Sequence, residues 1–135
     1  MTALHLRAGA LLAVALPVLA ADGSPVEHYR AEAVRQGGAG EFSAARGQIF
    51  YRQEHPRQGG GVSSCAECHG ADPRQPGRSR AHKPLKPLAP SANPERFTDL
   101  ATVEKWFSRN CQEVLQRPCT PDEKGDFITF ISSLK

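Results

Sequence analysis

Cys65-Ala66-Glu67-Cys68-His69 decides how this chain is read. Two thiols three positions apart, followed at once by an imidazole, form the C-x-x-C-H pattern of c-type haem attachment. The thiols can add to the two vinyl groups of one porphyrin, and the imidazole is then carried to the iron from one face. Competing chemistries fit less well. A thioredoxin-like pair wants a βαβ context, whereas Gln58-Gly59-Gly60-Gly61-Val62-Ser63-Ser64 reads as a loop. A zinc site wants a second ligand pair at similar spacing, and Cys111 and Cys119 lie too far apart for that.

The N-terminus points to export independently. Arg7 is a short positive region, Ala8 to Ala20 is apolar apart from Gly9 and Pro17, and Val18-Leu19-Ala20 offers small residues for cleavage. The apolar run is short for a membrane span. Residues 1–20 are therefore expected to be a cleaved signal peptide, leaving 135 − 20 = 115 residues as one small domain. The expected location is the periplasm, in soluble form. Covalent haem attachment outside the cytoplasm requires the same export. In such an oxidising compartment the two cysteines left over, Cys111 and Cys119, are expected to pair as a disulfide rather than stay as thiols.

The charge balance gives no argument for nucleic acid as a partner. Lys and Arg total 17 against 14 acids; without Arg7 the balance is 16 − 14 = +2, which the two propionates of a haem, near −1 each, about cancel. Arg74, Arg78, Arg80, Lys83 and Lys86 cluster where no acid occurs between Asp72 and Glu95. Such a cluster either steers an acidic redox partner or is a solvated loop.

Four helices are predicted. The first opens on a capping box, Ser24-Pro25-Val26-Glu27, and stops at Gly37-Gly38. The second runs from about Ser43 with Ala45, Ile49 and Phe50 near one face and Gly47 inside it, as a close crossing would need. The third spans Asp99 to about Asn110. The fourth opens on Thr120-Pro121-Asp122-Glu123, with Phe127, Ile128, Phe130, Ile131 and Leu134 at helical spacing. Ala71 to Pro94 holds six prolines and reads as extended loop without strands.

The second axial position of the iron is the open question. Met1 is the only methionine and would leave with the signal, so methionine ligation is excluded. The candidates are His28, His55, His82, a lysine, Asn110, or none. His28 and His55 lie upstream of the motif, where surface roles are expected. His82 lies downstream, so bis-histidine ligation is a real alternative. Asn110 shares a helix face with Val103 and Phe107, beside Trp106. A buried amide there needs a polar partner, which iron could be. A left-handed helix C-cap explains the same residue equally well.

Gly47 with Phe50, the haem motif and a C-terminal amphipathic helix together resemble a class I cytochrome c. The segment Pro87-Leu88-Ala89-Pro90-Ser91-Ala92-Asn93-Pro94-Glu95-Arg96-Phe97-Thr98-Asp99, then Val103-Glu104-Lys105-Trp106, Arg109-Asn110-Cys111 and Cys119-Thr120-Pro121 resemble the sphaeroides haem protein (SHP) family. These are small oxygen-binding class I cytochromes c, and the similarity runs from about Ala45 onward. It implies an all-α class I cytochrome c fold around one covalent haem c, with residues 21–135 as the cytochrome domain and an N-terminal helical extension. It implies haem held by Cys65, Cys68 and His69, Asn110 as a displaceable axial ligand, and a Cys111–Cys119 disulfide. The stretch from His82 to Lys86 departs from the family pattern.

The resemblance further implies binding of O2, NO or CO at reduced iron, and electrons from a dihaem cytochrome c and a membrane b-type cytochrome. Oxygen reduction or nitric oxide conversion would be the enzymatic version, although no catalytic acid or base stands out. The alternative is a simple electron carrier with a permanent sixth ligand, His82 or a lysine.

Overall fold

The computed structural model describes residues 23–135, so the expected signal peptide at 1–20 lies outside the described residues. Five helices follow in order: α1 Pro25–Arg35, α2 Ala44–Arg52, α3 Cys65–His69, α4 Leu100–Leu115 and α5 Pro121–Ser133. Two short antiparallel pairs join them, β1 His55–Pro56 with β2 Val62–Ser63, and β3 Gly77–Arg78 with β4 Pro84–Leu85. The sequence reading missed these strands and α3. A two-residue pairing is too short to show the alternation that marks a strand, and prolines flank both pairs.

Side-chain caps set where the helices begin. Thr120 Oγ1 accepts from the Glu123 N–H while the Glu123 carboxylate accepts from the Thr120 N–H at 2.8 Å, a complete capping box. At α1 only half of the expected box forms. Ser24 Oγ accepts from the Glu27 N–H at 3.3 Å, but the Glu27 carboxylate turns to Arg30 instead. Asp99 caps α4 by accepting from the Thr102 N–H at 2.7 Å. That helix runs past Asn110 to Leu115 and ends at Gln116, left-handed at φ 59°. Pro118 disfavours helical geometry at Arg117, which is why the stop comes here.

The core lies where α1, α2 and α4 converge on α5. Tyr29, Tyr51, Phe107, Phe127, Phe130 and Ile131 are all buried in it. Tyr29 rests edge-on against Phe107, ring centroids 5.8 Å apart, so α1 touches α4 directly. Lys124 reaches from α5 to within 5.0 Å of the Tyr29 ring while bonding Glu104 at 2.9 Å.

The α2–α5 crossing is fixed by glycine. A Cβ on Gly47 would collide with the Asp126 carbonyl and the Phe130 side chain. Gly47 and Tyr51 are therefore the buried positions of α2, while Ala45 and Ile49 face outward, against the expected face. The close approach rotates the helix so that its smallest residue meets α5. Beside it, buried Asp126 accepts from the Ser43 N–H at 2.7 Å and from two nitrogens of Arg46 at 2.7 and 2.8 Å.

Candidate haem site

The short helix α3 is the motif itself. Ser64 caps it by accepting from the Glu67 N–H at 3.1 Å, and Gly70 ends it at φ 76°. A Cβ would make that φ costly. Two neighbours clamp the motif from behind. The Tyr51 hydroxyl donates to the Gly70 carbonyl at 2.6 Å. Gly77 presses so closely that a Cβ there would strike the Cys68 carbonyl and His69 Cα. The chain around His69 is thus held by α2 on one side and β3 on the other.

Cys65 and Cys68 are partly buried and not disulfide-bonded. Burial pushes the Cys65 thiol up to about 11 and raises that of Cys68 as well. His69 is pulled down to about 4, first by burial and then by the charge of Arg96. The imidazole is therefore neutral, the form that ligates a metal. Among the described residues no three His, Cys, Asp or Glu side chains converge on a metal-sized site, as four-ligand zinc would require. Two thiols and a single neutral imidazole fit a group that brings most of its own ligands, as a porphyrin does.

Helix α4 carries the expected distal residue. Val103, Phe107 and Cys111 are its buried stripe. Asn110 lies next to that stripe, exposed, and Trp106 one turn earlier is 43% exposed. Asn110 sits inside the helix, so the C-cap reading of this residue does not hold; Gln116 has that role. The Asn110 amide makes no hydrogen bond to a described residue. The next residue, Cys111, is bonded to Cys119 with Cα atoms 5.6 Å apart, tying α4 to the residue before the Thr120 cap.

Arg80 links the parts. Its guanidinium bonds Glu67 in the motif at 2.7 and 3.2 Å, Ser63 in β2, and Glu113 in α4 at 2.9 Å. The Arg80 bonds hold the Glu67 carboxyl below its usual range despite some burial. The basic cluster is thus partly consumed within the fold. Arg74 bonds Asp72, and Arg78 bonds the His82 carbonyl. Lys83 and Lys86 make no ion pair to a described residue.

The three described histidines outside the motif separate clearly. His28 pairs with Glu32 on α1 at 3.2 Å. His82 is exposed at the tip of the β3–β4 hairpin, left-handed at φ 59°. His55 is no loop surface residue. In β1 it pairs with Ser63 of β2, and among the described residues its buried Nε2 has no partner. The reason is the β1–β2 pairing, which draws this segment against α4, where Gln116 Nε2 donates to the Pro56 carbonyl at 2.6 Å.

Comparison with known proteins agrees with this architecture. A family model described as a domain of unknown function (DUF1924) matches residues 37–131. The cytochrome c-type protein SHP of Cereibacter sphaeroides is 40% identical over 117 residues, 87% of this chain and 89% of that one. Cytochrome c'' of Methylophilus methylotrophus is 36% identical over 90 residues, 66% of this chain and 62% of that one. The crystal structure of oxidized cytochrome c'' superposes with a TM-score of 0.74 at 30% identity, covering 82% of this chain and 92% of that one. Oxidized SHP, an oxygen binding cytochrome c, gives 0.71 at 38% identity, covering 84% and 99%. The solution structure of cytochrome c'', which addresses haem-ligand detachment, gives 0.70 at 30% identity, covering 82% and 90%. Shared sequence along most of both chains and a shared helical frame lead to one conclusion: the chain belongs to the family of SHP and cytochrome c'', the monohaem c-type cytochromes.

Proposed function

We propose that this protein is a periplasmic cytochrome whose reduced iron is opened to O2, NO or CO when Asn110 withdraws. In this reading Cys65 and Cys68 hold the haem as thioethers and His69 is its fixed axial ligand. The haem, when bound, would supply a redox-active iron able to take a second side-chain donor or a small guest. Asn110 offers an amide oxygen, a hard and weak donor that suits ferric iron better than ferrous. Such a donor would hold reduced iron more weakly, which would leave Asn110 free to withdraw. The freed amide keeps its N–H donors, so it can hydrogen-bond a polar diatomic guest. The disulfide at Cys111 limits how far Asn110 can travel and favours its return.

The observation that carries this reading is the exposed Asn110 side chain within α4, beside the Val103, Phe107 and Cys111 stripe, in a chain whose only methionine is Met1. Two relatives support it: one is an oxygen binding cytochrome c, and the other is described for haem-ligand detachment. Among the described residues no helix is long and apolar enough to cross a membrane. Electrons would come from a dihaem cytochrome c and a membrane b-type cytochrome. Oxygen reduction or nitric oxide conversion would need a proton donor from solvent, since no side chain is assigned that role.

Optical spectra of the ferric and ferrous holoprotein, with and without carbon monoxide, test it. The ferrous protein should be high-spin and take up carbon monoxide. Asn110→Ala should convert the ferric low-spin spectrum to one with an open or water-filled site, while His82→Ala leaves it unchanged. A ferrous form that stays low-spin and refuses carbon monoxide would instead establish the electron carrier with a permanent ligand, His82 or a lysine.

A further inference from the structure

The basic stretch after the haem motif folds into a closed hairpin. At its neck the Pro73 carbonyl accepts from the N–H groups of both Leu88 and Ala89, at 2.9 and 3.1 Å. Above the neck, β3 and β4 set Gly77 opposite Leu85 and Arg78 opposite Pro84. At the tip the Ser79 carbonyl accepts from the His82 N–H at 2.8 Å, and the Ser79 N–H donates to the Lys83 carbonyl at 2.9 Å. Ser79 Oγ also accepts from the Lys83 N–H at 3.1 Å. Arg78 Nη1 closes the turn on the His82 carbonyl at 3.0 Å. The backbone that carries the cations is thus fixed before any partner arrives, which lowers the ordering cost of a contact.

Direct contact seats this hairpin on the motif. Gly77 lies so close that a Cβ on it would strike the Cys68 carbonyl and His69 Cα, and Arg80 bonds Glu67 of α3 at 2.7 Å. The charges then sort by side. Arg74 is neutralised by Asp72, and Arg80 by Glu67 and Glu113. Arg78, Lys83 and Lys86 are exposed, and none pairs with a carboxylate among the described residues. No acid occurs between Asp72 and Glu95 to offset them. Like charges gathered on one small unit repel each other, and an anionic partner relieves that repulsion.

We propose that the β3–β4 hairpin is the landing surface for the acidic face of an electron-transfer protein, and that Arg78, Lys83 and Lys86 steer that face to the haem motif. Charge complementarity chooses the occupant, since carboxylates are what three unpaired exposed cations attract. Opposite charge acts mainly on the rate of encounter and on orientation. At ordinary ionic strength it reaches only about 8–10 Å, so a steering surface has to stand next to the redox centre. The Gly77 contact meets that condition. The step is the passage of one electron: the partner is oxidised by one and the iron reduced by one, with no bond made or broken. The proposal rests on haem attachment at Cys65, Cys68 and His69 and is independent of Asn110.

The test uses the holoprotein and two double variants. Lys83→Gln with Lys86→Gln removes charge from the hairpin. Arg35→Gln with Gln36→Glu makes the same change in net charge on α1, the helix whose Tyr29 packs on Phe107 of α4. Haem content is measured first, by alkaline pyridine spectra. Absence of covalent haem in the wild type would defeat the attachment reading itself and the proposal with it. With haem present, the ferrous proteins are mixed without oxygen with an anionic oxidant, hexacyanoferrate(III), or a cationic one, tris(phenanthroline)cobalt(III). The hairpin variant should react with the anion about threefold or more slowly and with the cation faster, and the difference should fade as salt is raised. A change in midpoint potential would move both rates in the same direction, so opposite changes mark the field of the hairpin. The α1 variant should stay near wild type with both probes. Unchanged rates in the hairpin variant, or equal changes in the α1 variant, would overturn the proposal while leaving haem attachment intact. It would also be overturned if the wild type bound phosphatidylglycerol vesicles and the hairpin variant lost that binding while keeping wild-type redox rates, because the hairpin would then serve an anionic membrane.

Discussion

Arg80 Nη1 lies 2.9 Å from Glu113 Oε1, so the tip of the β3–β4 hairpin is tied to the turn of α4 that follows Asn110. The same guanidinium holds Glu67, two residues before His69. One side chain thus spans the motif and the helix facing it. The Arg80 side chain is 31% exposed and that of Glu113 47%, so solvent screens the link.

The energy of that link should accordingly be small. A double-mutant cycle of Arg80→Ala and Glu113→Ala, read by urea unfolding of the holoprotein, should give a coupling of about 0.5–1 kcal/mol. Additive single effects would show that the contact contributes nothing.

Gly47→Ala should destabilise the fold despite the better helix propensity of alanine. The new methyl would meet the Asp126 carbonyl and Phe130, and backbone cannot yield as a flexible side chain would. A loss of about 1–3 kcal/mol is expected, seen as a lower urea midpoint. Stabilisation would mean that α2 and α5 can slide apart freely.

Asp126→Asn removes the charge and one of the two acceptor oxygens of a buried side chain that accepts three hydrogen bonds, from Ser43 and Arg46. Arg46 is more than half exposed and can re-solvate, so the expected loss is about 1–3 kcal/mol rather than that of a fully buried pair. Thermal unfolding of the two holoproteins at neutral pH measures it.

Glu123 gives the fold an acid-sensitive joint. Burial alone would raise its carboxyl, but the bonds from Arg117 and from the Thr120 N–H outweigh burial and hold it below the usual range. A lowered folded value stabilises the protein above the unfolded carboxyl range, and that contribution is lost as pH falls through the folded value. Wild type should therefore lose more stability than Glu123→Gln between about pH 6 and pH 3. Parallel melting curves across that range would contradict the assignment.

Where an element depends on its own neighbours in sequence, the residues disclosed it. Thr120 with Glu123 and Asp99 with Thr102 are bonds over three positions, and C-x-x-C-H is a covalent spacing. Where an element depends on distant partners, they did not. The outward turn of Ile49 follows from what Gly47 meets on α5, about eighty residues away. Arg80 and Arg96 look alike as sequence, yet one is held by carboxylates and the other by backbone carbonyls. The end of α4 was read too early because Asn110 has two plausible local uses, and only the continuing helix separates them.

The contact between Tyr29 and Phe107 bears on where this protein can be cut. The family match begins at residue 37, after α1 has ended. A fragment trimmed to that match would lose the Tyr29 ring and bare Phe107, one turn from Cys111, together with the aromatic shelter of Lys124. A fragment meant to keep this contact should therefore start no later than the Ser24 cap. A boundary drawn by similarity alone would pass through the hydrophobic interior and leave an aggregation-prone surface on the helix that bears Asn110.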